Sequence, residues 1–132
     1  MNIRLDWNET FSIGEPLLDA QHRELFDIAN SLPENNDRAQ VRTCVMRLFR
    51  YTREHFSAEE DYMRSVGYPN LEQHTRIHEK LIEQLSLIAQ EPLGTTAADL
   101  SFKRFVLQWL TDHILICDKA IQKFVAQSAQ PE

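Results

Sequence analysis

An all-α domain, an up-down-up-down antiparallel four-helix bundle with an extended N-terminal arm, is the fold this sequence predicts. Three observations lead there. Apolar residues recur at the helical period through four long stretches. Only three glycines occur in 132 residues, and each stands near a proline where one of those stretches begins or ends. The intervening connections are short, which makes consecutive helices antiparallel neighbours. A chain of this length suits a single domain around one core: residues 1–14 as the arm, 15–128 as the bundle and 129–132 as a polar tail.

The arm lacks helical periodicity, but Leu5, Trp7, Phe11 and Ile13 alternate as residues laid over a core would. The first helix is expected from about Glu15 to Ser31, with Pro16 in its first turn and Leu18, Leu25, Phe26, Ile28 and Ala29 on its apolar side. Asp37 can cap a second helix reaching about Val66, with Val41, Val45, Leu48, Phe49, Tyr51, Thr52, Phe56 and Met63 along its stripe. Gly67 and Pro69 end it, and Asn70 is positioned to cap the third, from about Leu71 to Gln90, which carries Leu71, Ile77, Leu81, Leu85 and Ile88. After the turn at Gly94, Thr96 with Asp99 suggests a capping box. The fourth helix then runs from about Ala97 to Ser128 through Phe102, Phe105, Val106, Trp109, Leu110, Ile114, Ile121 and Phe124, and the tail beyond Gln127 is expected to fray.

Composition narrows the function. The net charge of −6 comes from interspersed charges, so no basic patch is available to neutralise nucleic-acid phosphates. No apolar run reaches the roughly 20 residues that span a bilayer, and the N-terminus lacks a signal peptide's apolar segment. Two isolated cysteines, Cys44 and Cys117, suit a reducing compartment. A cytoplasmic protein is expected.

The chemistry concentrates in five histidines and two carboxylates. His74 and His78 lie four residues apart and leave one face of the third helix. His55 and Glu59 have the same spacing on the second helix, and His22 stands in the first. His113 and Asp118 are five apart, about 140° around an ideal helix, so a π-type widening near Leu115 to Cys117 or a reaching Asp is needed to bring them together. A lone histidine on an apolar face is usually a satisfied core residue, and Glu59 has Arg53 and Arg64 nearby as partners. All seven groups fall inside apolar stripes near the helix middles, however, and burying so many without a cation would cost several kcal/mol.

Seven such ligands exceed the four of a structural zinc site. They suit two adjacent six-coordinate ions, and mixed imidazole and carboxylate donors fit iron. Thr75, where zinc proteases carry Glu, excludes that pattern, and the paired Glu-x-x-His of ferritin-like centres is absent. A histidine-rich, carboxylate-poor set favours reversible O₂ binding over strongly oxidising chemistry.

Trp7 and Gly14, Asp19-x-Gln-His22, His55-x₃-Glu59-Glu60, Met63, Gly67-Tyr-Pro69, His74-x₃-His78, Trp109 and His113-x₄-Asp118 together resemble the hemerythrins, and among them the bacteriohemerythrins. The resemblance covers nearly the whole chain. It implies a four-helix bundle holding two iron ions joined by an oxo or hydroxo bridge, with O₂ at one iron and azide or other small anions as its analogues. It assigns His74, His78 and His113 to one iron, His22 and His55 to the other, which keeps the open position, and Glu59 and Asp118 to both. It maps the wall of the O₂ pocket onto Leu25, Phe56, Trp109 and Ile114. Cys117, beside a ligand, reads as a small apolar filler rather than a redox group.

The expected function is reversible O₂ binding rather than catalysis. Because the fourth helix continues past Asp118 through Ile121, Phe124 and Val125, it could lead to an output domain or signalling partner. The reading leans to an O₂- or redox-sensing domain of a bacterial signalling protein, with a freestanding carrier or storage protein as the alternative. A di-iron peroxidase, oxygenase or ferroxidase is the lesser rival.

Overall fold

A computed structural model describes residues 4–90 and 92–128; the expected fraying of the tail falls mostly on residues outside these. Four antiparallel helical rods enclose one core. α1 spans Pro16–Asn30, α2 Arg38–Val66 and α3 Leu71–Ala89. The fourth rod is α4, Thr96–Asp112, continued without a break by a π-helical stretch, His113–Asp118, and by α5, Lys119–Ser128. No strand occurs among the described residues.

Pairings across the bundle show the alternation. Arg47 of α2 pairs with Glu24 of α1, while His55, two turns later, meets the earlier Gln21. His74 reaches Asp118 and His78 reaches His113, so α3 and the fourth rod also run in opposite senses. The core holds Leu18, Leu25, Phe26, Leu48, Leu85, Phe102, Val106 and Leu110, the residues that the helical period selected.

The helix ends follow local chemistry. Glu15 accepts from the Leu18 amide ahead of Pro16, and Asp37 accepts from the amides of Ala39 and Gln40. Gly67 closes α2 at φ +70°, the left-handed conformation glycine adopts without a side-chain clash, and the Tyr68 amide returns to the Met63 carbonyl. Two expected caps are corrected. Asn70 precedes α3 but makes no side-chain cap bond. α4 is capped by Thr95 rather than Thr96, through the Ala98 amide, and Asp99 accepts from the Gly94 amide instead of the cap residue's.

The arm is anchored more than it is extended, since Glu9–Phe11 forms a 3₁₀ turn. Asp19 accepts from the Ser12 hydroxyl and the Ile13 amide, Asn30 brackets Leu5 with two hydrogen bonds, and Trp7 lies under the Arg23 guanidinium. Phe11 and Ile13 are buried as expected. Ile77 is not: it is 39% exposed, because α3 turns it toward a surface groove beside the fourth rod.

Candidate metal centre

All seven predicted polar residues meet at one level of the bundle. α1 contributes His22, α2 His55 and Glu59, α3 His74 and His78, and the fourth rod His113 and Asp118. Each is at most 6% exposed. The spacing of four on α2 and on α3 projects each pair from one face, as expected. His113 and Asp118 converge for a different reason. They are the two ends of the π-helical stretch, where the Lys119 amide bonds back five residues to the Ile114 carbonyl and so brings positions five apart onto one side.

The carboxylates divide the cluster. Glu59 Oε1 lies 2.8 Å from His74 Nε2 and 3.1 Å from His78 Nε2, while its Oε2 lies 3.3 Å from His22 Nε2 and 3.2 Å from His55 Nε2. Asp118 Oδ1 lies 3.1 Å from both His74 and His113, and its Oδ2 lies 3.1 Å from His22. Thus each carboxylate turns one oxygen to a three-histidine side and the other toward a two-histidine side. Two ligand groups share Glu59, one with His74, His78, His113 and Asp118 and one with His22 and His55, and within each group the ligand atoms lie within 4.8 Å of one another.

These groups satisfy one another only in part: His74 Nε2 and Glu59 Oε1 form a hydrogen bond, but others are left over. His22 Nε2, Glu59 Oε2 and both Asp118 oxygens are buried without an aligned hydrogen-bond partner, despite the short distances. His113 Nε2 stands 3.1 Å from His74 Nε2 and 3.2 Å from His78 Nε2. Neutral imidazoles that converge through their lone pairs repel unless a proton or a metal ion lies between them. The atoms are aimed at common points, and the donor set fits a metal.

Without an ion, protons would occupy those points. Burial by itself depresses the imidazoles of His22 and His74, but Asp118 and Glu59 outweigh it and raise both to about 9. Burial likewise opposes protonation of His113, and Asp118 foremost pushes it up to about 12. His55 goes the other way, held neutral mainly by burial. Burial would raise the Glu59 and Asp118 carboxyls, yet the surrounding imidazoles hold both below the ordinary range.

Two further side chains support the cluster from behind, and neither is marked by residue type or spacing in the sequence. Gln21 Oε1 accepts from His55 Nδ1 at 2.8 Å, and Glu60 Oε2 accepts from His78 Nδ1 at 2.9 Å. Each bond leaves the Nε2 lone pair facing the cluster. The available signal is adjacency, because Gln21 precedes His22 and Glu60 follows Glu59 in the chain.

Aromatic rings cover the three-histidine side. Phe56 stacks on His78 with centroids 3.7 Å apart, and Trp109 stacks on His113 at 4.3 Å. Leu25, Phe56 and Ile114 are buried, while Trp109 is half-buried. Leu25 and Trp109 border an apolar void of about 10 Å³, scarcely room for a single water. Cys117 is not a buried filler. It is half-buried on the wall of the surface groove, with Ile77, Trp109 and Ile116, because the π-helical widening turns it outward. Neither Arg53 nor Arg64 partners Glu59, and Arg64 pairs with Asp61.

Residues 14–125 match the hemerythrin HHE cation-binding domain. The chain belongs to the hemerythrin family. Among its relatives, a bacteriohemerythrin of Stenotrophomonas maltophilia is 32% identical over 122 residues, covering 88% of this chain and 78% of that protein. A bacteriohemerythrin of Clostridium acetobutylicum is 30% identical over 122 residues, covering 86% and 95%. The crystal structure of a hemerythrin leucine-to-tyrosine variant superposes with a TM-score of 0.81 at 25% identity, covering 96% of this chain and 99% of that one. These relatives place the chain on the bacteriohemerythrin branch, with the four-helix hemerythrin fold and a His/Glu/Asp cluster able to hold a metal.

Proposed function

We propose that this chain binds O₂ reversibly at a centre of two iron ions and does so as an O₂- or redox-sensing domain. The observation that carries the reading is the division of Glu59 and Asp118, each with one oxygen toward either group of imidazoles. His74, His78 and His113 would hold one iron, His22 and His55 the other, and Glu59 and Asp118 both. When bound, the iron pair supplies the electrons and the coordination position that O₂ binding requires.

The chain's own part is to hold, shield and limit. Five neutral imidazoles against two carboxylates keep the donor set low in negative charge, which restrains oxidation. Leu25, Phe56, Trp109 and Ile114 would form the dry wall of the O₂ pocket, and water exclusion strengthens polar interactions inside it. Excluding water and acids there also favours release of O₂ over irreversible oxidation. No helix among the described residues is long and apolar enough to cross a membrane, and a cytoplasmic location is the reading consistent with the two free thiols.

Support for sensing comes from the fourth rod. His113 and Asp118 bracket the π-helical stretch, so any change in ligand spacing acts on a segment already wider than an α-helix and continuous with α5. A free-energy difference of ~1.4 kcal/mol between two arrangements would shift their ratio tenfold.

Elemental analysis combined with an optical O₂ titration of the reduced protein tests the binding. About two irons per chain and a spectrum that reverses on removing O₂ are expected. One zinc as the sole metal, or irreversible oxidation with steady peroxide turnover, would overturn the reading. Amide exchange tests the sensing: residues 119–128 should differ in protection between reduced and oxidised protein. Equal protection there would favour carriage or storage.

A further inference from the structure

Two of the five cluster imidazoles are braced from behind by a side-chain oxygen, and the braces differ in charge. Behind His78, on the three-histidine side, stands the Glu60 carboxylate, 2.9 Å from Nδ1 with a side chain only 23% exposed. Behind His55, on the two-histidine side, stands the neutral Gln21 amide at 2.8 Å. The remaining imidazole of that side, His22, buries its Nδ1 without a side-chain or backbone hydrogen-bond partner. The two sides therefore differ beyond their ligand counts.

We propose that Glu60 and Gln21 are positioning residues that set the two metal positions to unequal redox potentials. This rests on the di-iron reading above. A carboxylate drawing on Nδ1–H gives the imidazole partial imidazolate character and makes Nε2 a stronger donor. A stronger donor stabilises the higher charge on the ion it faces. An amide accepts the same hydrogen bond without the charge, and an unpartnered Nδ1–H contributes neither. The position held by His74, His78 and His113 is thus biased toward the ferric state, and that held by His22 and His55 toward the ferrous state. The first electron withdrawn from the reduced protein comes from the three-histidine side, and the side with fewer protein ligands keeps the ion that exchanges small ligands more readily. Geometry and charge are separable, because Gln at position 60 retains an acceptor while Ala removes it.

The experiment compares the iron-loaded full chain with its Glu60→Gln, Glu60→Ala and Gln21→Glu variants by redox titration, after elemental analysis of each. Glu60→Gln should keep the parent's iron and shift the first one-electron equilibrium about tenfold toward the reduced form, a rise of 59 mV. Gln21→Glu should lower the second one-electron midpoint, that of the two-histidine position, and so narrow the separation between the two steps. Glu60→Ala should release iron to a chelator on the order of 10-fold faster than the parent, with Glu60→Gln restoring most of the retention. A merely structural role would move retention but not potential. If Glu60→Gln holds full iron with its midpoint on the parent's, the charge asymmetry does no tuning and the proposal falls while the di-iron reading stands. A parent chain that takes up no iron overturns both.

Discussion

At the scale of single residues, the centre is defined by buried groups that satisfy one another only in part. His78 illustrates how many demands one side chain meets: its Nε2 faces Glu59 and His113, its Nδ1 donates to Glu60, and its ring stacks on Phe56. Truncation to Ala removes a donor of the cluster and leaves a cavity under Phe56. We expect His78→Ala to hold fewer than two irons per chain and to lose about 3 kcal/mol of stability. Metal analysis and denaturant unfolding measure these. Full iron content with native optical bands would remove His78 from the ligand set. The Cys44 thiol behaves differently from the cluster: burial pushes it up, so it remains protonated and inert near neutral pH.

Among the elements, the fourth rod departs most from regular helix. Its π-helical stretch brings His113 and Asp118, five residues apart, onto one side, and its N-terminus is fixed by a threonine next to the expected one. The start of α4 has a direct test. Thr95→Ala removes the hydroxyl that accepts from the Ala98 amide and should destabilise the protein by about 1 kcal/mol. Thr96→Ala loses only an exposed 3.2 Å bond to the Asn36 side chain and should change stability by less than about 0.5 kcal/mol. Chemical denaturation of both variants decides it. Equal losses would mean that the cap is shared.

For the molecule as a whole, metal and protons compete for the same interior. In the metal-free protein, the raised imidazoles of His22, His74 and His113 contribute stability that is complete below about pH 6.5. It is lost as pH rises through about 9 for the first two and about 12 for the third. The depressed Glu59 and Asp118 contribute stability complete above about pH 4.5 and lost as pH falls through their folded values. His55, held neutral, opposes protonation below its ordinary value. The metal-free protein should therefore melt highest at mildly acidic pH and less well toward pH 9. Metal binding requires neutral imidazoles, so the gap in Tm between loaded and metal-free protein should widen as pH rises from 6 to 9. A gap that narrows over that range, measured by calorimetry on both forms, would show that protons do not occupy the metal positions.

The helices and all seven cluster residues could be read from the sequence. Period and terminators locate each helix, and four-residue spacing sends His55 with Glu59, and His74 with His78, to one face by helix geometry alone. The alternatives that pattern left open were settled only by packing. Spacing showed that Asp118 could join His113 only through a π-type widening or a reaching side chain, and the widening is the one that occurs, a choice a sequence period cannot make because both need the same five-residue separation. Ile77 and Cys117 look like core by residue type, yet they line a groove because neighbouring rods, not hydrophobicity, decide which part of an apolar stripe is covered. Gln21 and Glu60 are ordinary polar residues in the chain. They become supports of His55 and His78 only when α1 and α2, and α2 and α3, are set side by side, for a hydrogen bond between helices depends on a register that no single helix contains.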